Sequence, residues 1–266
     1  MNLLSTNPKV EKGESAGWLT YILHLAPSWL SGRNTCPGAS PGCATACLNS
    51  SGRGGIGDGS GTLEVCGQIQ GKRTAWSVQQ NRIQRARIRK THLYFDNRPE
   101  FMRQLARDIE AAQRKANREG MRLAIRLNGT SDLRFERVPV GGFENIFEMF
   151  SGVQFYDYTK LPNRRGLPAN YHLTFSLSEC NDDVARMALD LGTSVAVAMR
   201  LKKGEPMPDT WGGYPCIDGD ETDLRFLDPA GVIVGLRAKG RSMPPESNKF
   251  FRDPAGGFRC GLPVIV

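Results

Sequence analysis

The run Leu123-Ala-Ile-Arg-Leu127, followed at once by Asn128-Gly-Thr-Ser-Asp132, decides the fold. A short apolar run that stops at an Asn-Gly cluster reads as a strand delivering a polar loop at its carboxyl end. The same grammar recurs further along. Val153-Gln-Phe-Tyr156 is a strand followed by Asp157-Tyr-Thr-Lys160, and Tyr171-His-Leu-Thr-Phe175 is a strand followed by Ser176-Leu-Ser-Glu179. A further strand is Ser194-Val-Ala-Val-Ala-Met199. Helices separate them: a short one from Phe143 to Phe150, and one capped by Asn181 with Asp182 and Asp183 in its first turn. The second buries Val184, Met187, Ala188 and Leu191 and stops at Gly192. Strand, polar cluster, helix, strand predicts an α/β fold of the (β/α) barrel-like kind, a complete or partial TIM-type barrel with a mainly parallel sheet.

Toward the N-terminus, Phe95 to Pro99 opens a strongly amphipathic helix. Its buried stripe is Phe101, Leu105, Ile109, Ala112 and Ala116, it ends at Gly120, and it reads as core architecture. Thr74 to Lys90 also reads as helical, with Arg82, Arg85 and Arg89 on one face, widened by Arg87 and Lys90. The glycine-dense Gly52 to Thr62 reads as a flexible lid, and residues 1 to 17 as an irregular lead-in. The first strand is Trp18-Leu-Thr-Tyr-Ile-Leu-His-Leu-Ala-Pro27. Directly after it come Cys36, Cys43 and Cys47 in a turn-rich loop, the start of a cysteine-rich segment that runs to Cys66. At 266 residues the chain is read as a single domain.

Three thiolates within a dozen residues can converge on one metal or cluster. The spacing, six residues and then three, lacks the short Cys-x-x-Cys knuckle of zinc fingers. An iron-sulfur cluster with one open iron and an irregular zinc site both remain, with Cys66 as an open question for a fourth ligand. In a barrel the polar clusters share the carboxyl rim with the cysteine loop. Cys36, Cys43, Asn128, Asp157 and Ser176 are therefore expected at one end of the sheet. There Asn128, Thr130, Ser131, Ser176, Ser178 and Glu179 line a cofactor or substrate pocket, Asp132 and Asp157 are candidate acids or bases, and Lys160 and Lys239 meet negative charge. Asp218 and Asp220 open a turn whose acids pair with arginines, and Gly256 to Val266 resembles a final strand.

Seven cysteines, an odd number in a chain of this length, exclude a fully paired disulfide scaffold and fit a reducing cytoplasm. No run approaches the roughly 18 apolar residues of a membrane span, and the first residues lack a signal-peptide pattern, so a cytoplasmic protein is expected. A formal net charge of +8 favours a polyanionic partner. The arginine row of Arg82, Arg85 and Arg89 suits sequence-independent phosphate contacts of a nucleic acid.

With these segments laid out, the chain resembles the phage gene product 88 family over nearly its whole length. The segments that carry the likeness are Cys36 to Cys47, Arg126-Leu-Asn-Gly-Thr-Ser-Asp132, Tyr156-Asp-Tyr-Thr-Lys160, Asn170-Tyr-His-Leu-Thr-Phe-Ser176 and Gly235-Leu-Arg-Ala-Lys-Gly240. More distantly, a cysteine loop after the first strand, followed by Ser-Asp, Thr-Lys and serine-bearing strand ends, is similar to phage radical-SAM-like barrel proteins. That likeness implies a [4Fe-4S] cluster on Cys36, Cys43 and Cys47 whose open iron binds S-adenosylmethionine. The spacing departs from the Cys-x-x-x-Cys-x-x-Cys of those enzymes, since Ser50 stands where the third cysteine would be.

Three functions follow as expectations. The first is an iron-sulfur barrel enzyme acting on a nucleotide or nucleic acid. The second is a zinc-bearing, base-exchanging transglycosylase of DNA or tRNA, with Asp132 or Asp157 as nucleophile. The third is a zinc-stabilised nucleic-acid-binding protein without catalysis.

Overall fold

Short β-branched and aromatic runs form the strands where the sequence places them, and the computed structural model joins them into a mainly parallel sheet. The structure describes residues 2–7, 11–50, 52–55, 62–69, 72–79, 81–164, 166–239 and 245–259. The strands are β1 (Leu4–Ser5), β2 (Trp18–Leu23), β3 (Thr62–Ile69), β4 (Lys72–Gln79), β5 (Arg122–Arg126), β6 (Gln154–Thr159), β7 (Tyr171–Ser176), β8 (Val195–Met199), β9 (Thr210–Trp211), β10 (Tyr214–Asp218) and β11 (Ile233–Arg237). Nine of them share one sheet in the order β1-β2-β5-β6-β7-β8-β11-β10-β9, while β3 and β4 form a separate antiparallel hairpin. The pairs β2/β5, β5/β6, β7/β8, β8/β11 and β10/β11 are parallel. The margins, β1 on β2 and β9 on β10, are antiparallel. The strand order begins at β1 and ends at β9, with no pairing that closes it among the described residues. No described helix is long and apolar enough to cross a membrane.

The chain divides into two compact units. The first comprises Met1–Pro37, Cys47–Asp157 and Arg165–His172, and the second Gly38–Ala46, Tyr158–Arg164 and Leu173–Val266. In the first unit the Arg98–Arg118 helix covers the sheet with the stripe expected of it. Phe101, Leu105, Ile109, Ala112 and Ala116 are all buried, joined by Met102 and Ala106. Asn97 caps it by accepting from the Glu100 amide at 3.2 Å, Pro99 stands in its first turn, and Gly120 follows its end at φ 67°. Lys90 is buried against the first strand, its Nζ donating to the Leu3 carbonyl at 2.6 Å.

Several boundaries differ from expectation. Thr74 to Gln79 belongs to β4, and the helix covers Arg82–Asp96, because the Asn81 side chain accepts from the Gln84 amide at 2.8 Å and fixes the start there. Residues 1 to 17 are not wholly irregular: β1 and a 3-10 helix over Lys12–Ala16 lie among them. Asp157 does not follow its strand; it lies within β6, which runs on to Thr159. The short helix is confined to Ile146–Met149. In the expected glycine lid, Gly52–Gly55 forms a 3-10 turn and residues 56–61 lie outside the described residues. Of the expected last strand, residues 256–259 belong to no strand and 260–266 lie outside the described residues.

In the second unit a core of Phe175, Leu177, Ala185, Leu189, Val195, Val197, Met199, Leu201, Trp211 and Ile233 forms between the strands and the Asp182–Asp190 helix. That helix is turned away from the expected face. Ala185 and Leu189 are buried, whereas Val184, Met187 and Leu191 are 37%, 62% and 79% exposed. Polar ties four residues apart set the rotation. Asp182 binds Arg252 at 2.6 Å, the Arg186 guanidinium lies over the Phe258 ring, and Asp190 accepts from the Tyr214 hydroxyl at 2.6 Å.

Candidate functional site

In the first unit the loops after β2 and β5 are sewn together. Thr130 Oγ1 donates to the Leu25 carbonyl at 2.7 Å, the Gly129 amide to Leu23 at 3.0 Å and the Asp132 amide to Thr35 at 2.8 Å. Gly129 has no room for a side chain: a Cβ there would stand 2.3 Å from Ile22 Cγ2 and 2.9 Å from the Leu23 carbonyl oxygen. This close approach brings Cys36 beside the second loop, with its Sγ 3.7 Å from the Thr130 carbonyl. Thr35 is itself fixed by donating to Ala26 at 3.0 Å.

The Asn128 to Asp132 loop closes on itself. Asn128 Oδ1 accepts from Ser131 Oγ and from the Leu133 amide, both at 2.8 Å, and Asn128 Nδ2 donates to the Leu133 carbonyl at 3.0 Å. Asn128, Ser131 and Asp132 are consequently buried. Beneath them lies Asp157, wholly buried. Its Oδ1 accepts from the Asn128 amide at 2.8 Å; its Oδ2 accepts from the Leu127 amide at 3.3 Å, from Asn128 Nδ2 at 3.3 Å and from the Tyr171 hydroxyl at 3.1 Å. A carboxylate so placed holds the end of β5 in position, since it is the hydrogen-bond partner of the Leu127 and Asn128 backbone amides there.

Further along, Arg87 turns inward rather than widening an arginine face. Its Nη1 donates at 2.9 Å to both the carbonyl and the side-chain oxygen of Asn49. Burial pulls the Arg87 guanidinium below its ordinary pKa, and the nearby Cys47 opposes that shift. Arg82 and Arg89 are exposed and Arg85 is half-buried.

In the second unit Glu179 latches the middle of the cysteine loop. Ser40 caps the Pro41–Thr45 turn by accepting from the Cys43 amide at 3.3 Å, and its hydroxyl donates to Glu179 Oε2 at 2.6 Å. The other carboxylate oxygen accepts from the Gly42 amide at 2.6 Å. A Cβ on Gly42 would meet Asn248 Oδ1, Glu179 Oε1 and Phe250 Cβ at 2.7 to 2.9 Å. Lys160 lies with its ammonium 5.5 Å from the centre of the Phe250 ring. Ser176 and Ser178 are held by Asn181, whose Nδ2 donates to the Ser176 carbonyl at 3.1 Å while its Oδ1 accepts from the Ser178 amide at 2.7 Å. Arg252, only 2% exposed, donates to the Ser178 carbonyl and to Asp182. As expected of the acidic turn, Asp218 and Asp220 pair with Arg237, and Lys239 is engaged by Asp220.

Among the described residues no group of three or more His, Cys, Asp or Glu side chains stands where it could hold a metal ion. Cys36, Cys43, Cys47, Cys180 and Cys216 form no disulfide. Cys66 lies in β3, whose side chains are outside the described residues; Cys260 is itself outside them. Asn248, Phe250 and Arg252 are the residues that sequence reading missed. They lie in a tail without periodicity, tied to β8 by a parallel bridge from Arg252 to Met199, and only a register signal of that kind would have marked them.

A mainly parallel sheet with helices and with interlocked polar loops beyond its strands defines an α/β protein. The model of the gene product 88 family matches residues 1–253, and the chain belongs to that family, the phage family to which the five quoted segments pointed. No curated protein and no solved structure matches the chain.

Proposed function

We propose that the protein is an enzyme of phage type that modifies a nucleotide or nucleic acid, working at the carboxyl ends of its parallel strands. The observation that carries this reading is in the first unit. Cys36, a half-buried thiol in the segment that follows β2 and the Ser28–Ser31 turn, is held beside the loop that follows the parallel neighbour β5. Reactive or ligating groups of α/β domains are placed at such strand ends. The net charge of +8 favours a phosphate-bearing substrate. Asp132 and Lys160 keep their roles in this reading, as acid or base and as contact for negative charge. Asp157 and Lys239 act mainly by holding their neighbours, and Asn128, Thr130, Ser131, Ser176, Ser178 and Glu179 shape the loops around the substrate.

The partial-barrel form and a [4Fe-4S] cluster with S-adenosylmethionine, or zinc in its place, belong to the same proposal. They rest on the run β2-β5-β6-β7-β8, which follows chain order before β11 and β10 depart from it, and on three cysteines in one short loop. The side chains as they stand do not assemble a ligand set, so no chemical step is derived through a metal.

The test is anaerobic purification with iron, sulfide and zinc measured per chain, for the parent and for Cys36→Ala, Cys43→Ala and Cys47→Ala. About one cluster per chain, lost in each variant and kept in Cys216→Ala, is the expected result. A chain that takes up no metal after reconstitution, or full occupancy without Cys43, refutes the cluster. A colourless protein holding zinc refutes the S-adenosylmethionine chemistry.

A further inference from the structure

The Arg98–Arg118 helix buries one side in the first unit, and its opposite side carries a row of four arginines with a single further acid, the exposed Glu110, at its edge. Arg103, Arg107, Arg114 and Arg118 are all exposed. At about 100° per residue their spacings of four, seven and four place them within roughly 60° of one another, and at about 1.5 Å per residue the row is about 22 Å long. Arg103 and Arg107 share a single carboxylate, that of Glu100, at 2.7 and 3.1 Å. Arg114 and Arg118 have no ion pair among the described residues.

Beside the carboxyl-terminal half of the same helix opens a cavity of about 310 Å³. Gln113 and Asn117 line it from the helix, Trp18, Arg122 and Gln154 from the first residues of β2, β5 and β6, and among the described residues no acidic side chain lines it. The Arg122 guanidinium stacks 4.1 Å above the Trp18 ring, which holds it in place while it stays exposed. The amides of Gln113 and Asn117 make no hydrogen bond among the described residues. A second cavity in this unit, about 390 Å³, is lined instead by Glu136, Glu144 and Glu148 and repels anions.

We infer that the arginine row and the adjoining cavity dock the phosphate backbone of duplex DNA. A straight row of about 22 Å meets the few phosphates of the backbone that face it before the strand winds away round the duplex, about one for each guanidinium. Its rigidity suits a duplex better than a flexible single strand. Guanidinium groups supply sequence-independent affinity, and Gln113, Asn117 and Arg122 offer donors to a neighbouring sugar-phosphate. The cavity lies at the amino-terminal starts of β2, β5 and β6, so within the first unit it is at the opposite strand end from Cys36 and Asn128, and the row runs back from it along the helix. It shares with the function proposed above only the class of partner, and it fails separately from the cysteine chemistry.

The experiment is fluorescence anisotropy of the full chain with a short labelled duplex of arbitrary sequence, over about 50 to 200 mM salt. The triple variant Arg114→Gln, Arg118→Gln, Arg122→Gln should reduce the slope of log affinity against log salt by about 2.7, from about 0.9 per phosphate contact, and weaken binding about tenfold or more at low salt. The pair Gln113→Glu, Asn117→Asp should weaken binding in the same direction by placing acids in the cavity. A melting curve like the parent's establishes that each variant is folded. Four results would each overturn the inference: a parent that does not bind the duplex, a triple variant with the parent's affinity and slope, tighter binding to an RNA hairpin than to the DNA, or abolition of binding only by Arg82→Ala, Arg85→Ala, Arg89→Ala. The triple variant should hold as much metal as the parent, so that its loss of DNA binding is read separately from the cysteine loop.

Discussion

Replacing Asp157 by Asn tests whether the buried carboxylate of β6 is an anchor or a reactive group. It faces four donors: Asn128 N–H at Oδ1, and Leu127 N–H, Asn128 Nδ2 and the Tyr171 hydroxyl at Oδ2. An amide offers one oxygen, so one side of this set must face an N–H instead. At the least a backbone donor is stranded in the core, at about 1–3 kcal/mol, and the charge assistance of the remaining bonds is lost. We expect Asp157→Asn to destabilise the first unit by about 3 kcal/mol and Asp157→Ala by more than about 4 kcal/mol. Tyr171→Phe, which removes one donor and leaves the carboxylate three, should cost about 1 kcal/mol. The assay is urea denaturation followed by tryptophan fluorescence, with Trp18 and Trp29 reporting on the first unit. At about 2–4 °C per kcal/mol, Asp157→Asn should also lower the Tm by roughly 6–12 °C. An Asp157→Asn protein within about 0.5 kcal/mol of the parent refutes the anchoring role. If it is equally stable and yet inactive, Asp157 is a reactive group after all.

Two other perturbations follow from the same geometry. Gly42→Ala forces a methyl into contacts of 2.7 to 2.9 Å with Asn248, Glu179 and Phe250, and should loosen the Pro41–Thr45 turn at a cost of about 1–3 kcal/mol; hydrogen exchange of that turn no faster than in the parent would contradict this. Burial pulls the Lys90 ammonium down to about 8, with Asp108 opposing, whereas in the unfolded chain it titrates near about 10.4. Between those values the unfolded state holds more protons, so Lys90 makes stability rise with pH. Lys90→Met removes that contribution, and its stability relative to the parent should fall from about pH 8 to 10.4; denaturation midpoints whose difference does not change with pH would rule it out.

What the sequence makes legible is whatever a single stretch decides for itself. Trp18 to Leu23 and Val195 to Met199 are strands because nothing but a strand suits their composition, and Phe101 to Ala116 is a helix with only one apolar stripe to bury. The Asp182–Asp190 helix has two apolar stripes, Ala185 with Leu189 and Val184 with Met187. The choice between them is made by Arg252, Phe258 and Tyr214, far along the chain. The start of the Arg82–Asp96 helix is likewise a matter of one residue. Arginines at spacings of three and four are consistent with helix on either side of Asn81, and the Asn81 side chain decides where it begins.

Asp157 shows the same limit at the candidate site. A charged residue after three strand residues reads as the strand's end, because an unpaired charge inside a sheet is costly. It stays within β6 because Leu127, Asn128 and Tyr171 turn four donors toward it, and no local pattern announces them.

The cysteine loop sets nearness along the chain against nearness in space. Each of its thiols belongs to a segment with a different chain-distant tether: Cys36 beside the Thr130 carbonyl, the Cys43 turn in the grip of Glu179, and Cys47 next to an Arg87 that is bonded to Asn49. Short separation in sequence lowers the entropy cost of bringing ligands together, but it does not outweigh three tethers that each hold hydrogen bonds. If the loop gathers a metal, loading must therefore loosen at least one tether. The Ser40 to Glu179 pair is the one whose partners both belong to the second unit, and faster exchange of the Cys43 amide on loading would register its release.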